Sequence, residues 1–111
     1  MVMVLAERWQ IAQKLHAVTE QFPDGRENPR FRDLIDLQLL EALEPDPAAV
    51  RDACERVFVA RAQHAWLPTV TLHPSWTQAY QAMAEELNFA VTDVSDAVRA
   101  VQTYIERISR A

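Results

Sequence analysis

The stretch TDVSDAVRAVQTYIERIS, residues 92–109, decides the fold class. Val94, Val98, Val101, Ile105 and Ile108 recur at three- and four-residue intervals, which puts them on one side of an α-helix. Thr92 reads as the N-cap. Asp93 and Asp96 then sit where the positive end of the helix dipole favours carboxylates, and Arg107 and Arg110 near the end where cations are favoured.

The segment before it repeats the pattern. Trp76, Tyr80, Met83, Leu87 and Val91 form a second stripe, and Ser75 with Gln78 has capping-box spacing. Between Leu67 and Pro74 the helical period stops. Pro68 and Pro74 bound a run in which Val70 and Leu72 alternate with threonines, predicting an extended connector. No partner strand is visible, so no sheet is predicted. Trp66 and Trp76 flank this connector and are expected to pin it to the bundle.

A third helix is expected after Asp46 as N-cap and Pro47 at the first helical position. Val50, Ala53, Cys54, Val57, Phe58 and Ala65 line its inner side. A second helix is read as starting at Asn28-Pro29. Its Phe31, Leu34, Ile35, Leu37, Leu39, Leu40 and Leu43 point nearly all round, as in a helix covered on two sides. The first helix is read over residues 2–22. Val4, Ile11, Leu15, Val18 and Phe22 make one stripe, and Leu5, Trp9, Ala12 and His16 a second beside it.

The expected fold is therefore all-α: a compact bundle of four to five helices, with one extended connector between helices 3 and 4, in a single domain over residues 1–111. The core is expected to include Ile11, Leu15, Val18, Leu34, Leu37, Leu40, Val57, Phe58, Trp76, Tyr80, Met83, Leu87, Val94, Val98, Val101 and Ile105.

Composition narrows the function classes. Half of the residues are apolar, a quarter are charged, and the formal net charge is −5. That charge disfavours nonspecific attraction to nucleic acid or anionic lipid. No apolar run approaches the roughly 20 residues needed to span a bilayer, and the N-terminus lacks the basic leader of a signal peptide. One cysteine, Cys54, forms no internal disulfide and agrees with a reducing compartment. A cytoplasmic protein is expected. Gly25 is the one glycine. Phosphate-cradling loops need several, because the backbone must approach the anion closely. Walker, dinucleotide and nucleophile-elbow motifs are absent, which argues against most nucleotide-using enzymes.

No catalytic, cofactor or metal site is read from the residues. Cys54, His64 and His73 match no zinc spacing, and a buried lone thiol is inert. His16 and Glu20, four apart on helix 1, read as hydrogen-bonded polar groups on its surface. The wide apolar arc of helix 1 suggests an interaction face instead. Leu5, Trp9 and His16 are expected to meet a protein partner or a second copy, with Arg61 as a polar anchor. The functional expectation is a small interaction module, an adaptor, regulator or assembly subunit, and not an enzyme. The alternative is a helix-turn-helix DNA-binding regulator using residues 75–111. Ala84, Leu87, Asn88, Phe89, Val94, Ser95 and Val98 have the spacing of that motif, and Ser95, Arg99 and Gln102 would face DNA. Charge opposes it, since Arg99, Arg107 and Arg110 are outnumbered there by Glu85, Glu86, Asp93, Asp96 and Glu106.

Overall fold

The computed structural model describes residues 6–111. Its helices are α1 (Glu7–Thr19), α2 (Arg32–Glu41), α3 (Pro47–Arg61), α4 (Trp76–Glu86) and α5 (Val94–Ser109). The chain is all-α, and the described residues contain no strand. No described helix is long and apolar enough to cross a membrane.

α1 packs chiefly on α3 and also on α2, while α5 closes the other side against α2, α3 and α4. This central placement explains the broad arc of α1. Ile11, Leu15 and Val18 of the first stripe are buried, and so are Ala12 and His16 of the second. At those two positions helix 3 covers the arc, so burial within the bundle accounts for them. α2 contributes Leu34, Ile35 and Leu37 to the core, but Leu39 and Leu43 are exposed, so this helix is not covered all round as expected. α5 presents Val94, Ala97, Val101, Tyr104, Ile105 and Ile108 inward, and Val98 lies part-buried against the core.

The helix ends show which signals are local. Asp46 caps α3, accepting the Ala48 N–H at 3.2 Å, and Pro47 follows at the first position. At α5 the cap is Asp93 rather than Thr92. Its Oδ1 accepts the N–H groups of Ser95 at 2.7 Å and Asp96 at 3.3 Å. A one-residue offset between two good capping types is settled by where the chain emerges from the preceding turn. That turn is a Schellman arrangement: Phe89 N–H donates to Ala84 O at 2.8 Å and Asn88 N–H to Glu85 O at 3.1 Å. Asn88 takes φ 54°, the left-handed value that asparagine tolerates better than most residues. The turn also rotates Leu87 out of its stripe. It is 58% exposed, against the expectation that it is core.

Two other end signals are put to different use. Ser75 makes no capping bond; its N–H and Oγ both donate to Glu27 Oε1. Asn28 does not cap α2, which begins four residues later. Its side chain is buried and ties the chain together. Nδ2 donates to Ala17 O at 2.8 Å and Glu20 O at 2.9 Å, satisfying carbonyls at the end of α1. Oδ1 accepts the Arg30 N–H at 2.8 Å, and the Asn28 backbone carbonyl accepts Trp76 Nε1–H at 2.6 Å.

The connector between α3 and α4 runs extended, as expected. Val70 is its buried anchor, and Gln102 Oε1 on α5 accepts the Val70 N–H at 2.8 Å. Trp76 is fully buried, and Trp66 packs edge-on to Phe58 at 5.5 Å.

Candidate functional site

The most unusual chemistry lies where the last turns of α1 and α3 meet. His16 is 1% exposed, not the surface group its i,i+4 relation to Glu20 suggested. Its ring lies 4.5 Å from His64 and 5.0 Å from Phe58, centroid to centroid. His64 follows α3 on the segment leading to Trp66. Its Nε2 pairs with Thr19 Oγ1 at 2.8 Å, and that hydroxyl in turn donates to Leu15 O. His16 Nε2 and His64 Nδ1 are both buried without a hydrogen-bond partner among the described residues. An unsatisfied buried polar atom costs about 1–3 kcal/mol.

Burial, the His64 ring and the Arg61 charge together push the His16 pKa down to about 4. Burial also lowers that of His64, against the opposing influence of Glu20. Both rings are therefore neutral near pH 7, where each keeps one N–H and one lone pair.

His16 faces a cavity of about 420 Å³. Gln10, Gln13 and Lys14 of α1 line it, with Arg30 from the loop before α2 and Arg61 from the end of α3; Glu20 is its one acid. The three cations arrive from three separate segments. Lys14 Nζ lies 3.1 Å from Asp36 and 3.6 Å from Asp33, and Arg30 Nε lies 2.9 Å from Asp33. Asp33 is buried, and both cations lie within ion-pair distance of it. Arg61 forms no ion pair with a described residue. A second cavity of about 500 Å³ shares Lys14 and Arg30 and adds Pro29, Arg32, Asp33 and Asp36.

Of the residues singled out from the sequence, His16 and Arg61 meet in the first cavity. Trp9 is part-buried against the core, with the Arg8 guanidinium 5.8 Å above its ring. Leu5 lies outside the described residues. In the presumed DNA-reading helix, the Ser95 N–H is taken by the Asp93 cap and Arg99 pairs with Asp96 at 3.3 Å. Gln102 spends its carbonyl oxygen on the connector. Cys54 is buried, and its thiol is pushed up to about 12, mainly by burial. Packing brings Lys14 and Arg30 to the same cavity as Arg61, and no local spacing in the sequence marks that convergence.

The family model described as nucleotidyl transferase AbiEii toxin, type IV TA system, matches residues 1–107. No curated protein matches the chain. The family match overturns the expectations of an adaptor-like or regulatory interaction module, of a helix-turn-helix DNA-binding regulator, and of a protein that is not an enzyme. The family is one of enzymatic toxins, which work opposite an antitoxin partner. The scarcity of glycine misled because it excludes only one way of holding phosphate. Arginine and lysine side chains clamp phosphoryl groups without a glycine loop.

Proposed function

The chain belongs to the AbiEii family of nucleotidyl transferase toxins from type IV toxin–antitoxin systems, and on that premise we propose that it serves nucleotidyl transfer. In that reaction an acceptor oxygen bonds to the α-phosphorus of a nucleoside triphosphate. The bond from that phosphorus to the pyrophosphate leaving group breaks, and the acceptor loses its proton. Modification of an essential acceptor would arrest growth until the antitoxin counteracts it. The substrate requires a cytoplasmic setting, where nucleoside triphosphates are abundant.

The observation that carries this reading is the family match across nearly the whole chain. The cation-lined cavity supports it, since a tri-anionic or tetra-anionic substrate needs positive side chains near its phosphates.

Polymerase-type transfer commonly uses divalent cations held by carboxylates. The described residues do not fit such a centre: no three His, Cys, Asp or Glu side chains gather there. Met1–Leu5 includes none of these types. Asp33 and Asp36 are engaged by Lys14. No step through a metal is therefore assigned to these residues.

The test supplies each of the four α-³²P-labelled nucleoside triphosphates to the purified protein, with magnesium or manganese and total cellular RNA or protein as acceptor. Covalent label on a macromolecule, with growth arrest on induced expression, is the expected result. Absence of label with every triphosphate, together with unimpaired growth, would overturn the reading.

A further inference from the structure

We infer that the cavity walled by Lys14, His16, Arg30 and Arg61 is a phosphate-binding subsite. The inference rests on the proposed transfer reaction only for the source of the phosphate; the subsite itself stands on geometry.

Several independent features converge on one small volume. Three cations are delivered by α1, by the loop before α2 and by the end of α3, so folding alone assembles them. Lys14 and Arg30 are partly neutralised by Asp33 and Asp36, whereas Arg61 forms no ion pair among the described residues. With Glu20, Asp33 and Asp36 counted, the charges in and beside the cavity balance, and Arg61 is the cation of the three that has no acid within ion-pair distance among the described residues. His16, 1% exposed, lines the same cavity, and its Nε2 has no partner among the described residues. A phosphate oxygen offers the counter-charge that Arg61 lacks, in a geometry its forked N–H groups suit, beside the His16 ring on the same wall.

The adjoining cavity shares Lys14 and Arg30 but carries Asp33 and Asp36 on its wall. Those carboxylates repel an anion, which places the phosphate on the Arg61 side. The volume of about 420 Å³ falls in the range of small-ligand sites. Two sources share this chemistry: the polyphosphate tail of a nucleotide and the phosphodiester of an acceptor nucleic acid.

His16 also supplies the readout. Its pKa is held down by burial, by His64 and by Arg61, with Glu20 on the same cavity wall. A bound anion opposes the first three influences and raises it. The probes are inorganic tripolyphosphate and a short single-stranded oligoribonucleotide without a terminal phosphate. Each is titrated calorimetrically and by NMR of the His16 imidazole, across pH 3.5–7.

Tripolyphosphate binding is expected to shift the His16 resonances and raise their titration midpoint. Arg61→Ala, at the exposed end of α3, should weaken binding at least tenfold with unchanged helix content. Arg61→Lys should recover part of the loss, and Arg99→Ala, a remote exposed cation, should change nothing. If the oligoribonucleotide binds instead with the same Arg61 dependence, the subsite stands and its source is the acceptor. Binding that leaves His16 unmoved, equal losses in Arg61→Ala and Arg99→Ala, or binding of neither probe would each overturn the inference. Tripolyphosphate binding without any transferase activity would leave the subsite standing and remove the proposed function; label transfer insensitive to Arg61→Ala would do the reverse.

Discussion

Asn28→Ala removes the tie between the end of α1, the following loop and the start of α2. The buried Asn28 amide donates to Ala17 O and Glu20 O and accepts the Arg30 N–H. Net, a protein hydrogen bond contributes about 1 kcal/mol, so three together amount to roughly 3 kcal/mol. Some of that is retained, because Ala17 O also receives the Glu20 N–H at 3.4 Å. The Trp76 Nε1–H bond to the Asn28 backbone carbonyl survives as well. The expected destabilisation is about 2–3 kcal/mol, a fall in Tm of roughly 10 °C for a chain of this length.

Asn28→Asp sharpens the test. The carboxylate can still accept from Arg30 N–H but meets two carbonyl oxygens head-on. Its folded pKa would rise above its unfolded value, so the neutral form is the stabilising one. Stability of this variant is then fullest at acid pH and is lost as pH rises through the raised pKa. Urea unfolding followed by circular dichroism at pH 4 and pH 7 separates the two variants. An Asn28→Ala cost below about 0.5 kcal/mol, on the scale of an ordinary surface change, would refute the reasoning, as would an Asn28→Asp variant no less stable at pH 7 than Asn28→Ala.

Other perturbations have equally definite signs. His16 is neutral in the fold with its pKa lowered from 6.5 to about 4, so its contribution is whole above pH 6.5 and is lost as pH falls toward 4. His16→Asn should therefore flatten the decline of stability between those values in urea titrations; an unchanged slope would point to His64 alone. Asp93→Ala deletes the cap that accepts two N–H groups of α5 and should cost about 1 kcal/mol, read from the shift in urea midpoint. Asn88→Ala places a Cβ without a compensating polar group at φ 54° and should cost roughly 1 kcal/mol, whereas Asn88→Gly should be neutral or mildly stabilising; equal effects of the two would remove the backbone explanation.

The all-α class, the extended connector and the start of α3 are legible in local sequence. Their signals lie within a few residues of the structure they specify: the period of Val94 to Ile108, the two prolines around the connector, and Asp46 ahead of Pro47. The sequence misplaced the cap of α5 by one residue and misread Asn28 and Ser75. Each is a good capping type, and its use was decided by groups distant in sequence, namely the carbonyls ending α1 and the Glu27 carboxylate.

Packing settled that Ala12 and His16 are buried beside Ile11, Leu15 and Val18, because the width of an apolar arc does not say which helices cover it. It alone brought Lys14, His16, Arg30 and Arg61 to one cavity, since no local spacing encodes the convergence of three segments. The function was legible in neither composition nor any short motif. A net charge of −5 averages over the surface and hides a local cluster of cations, and it is that cluster, assembled by packing, that a phosphate would meet.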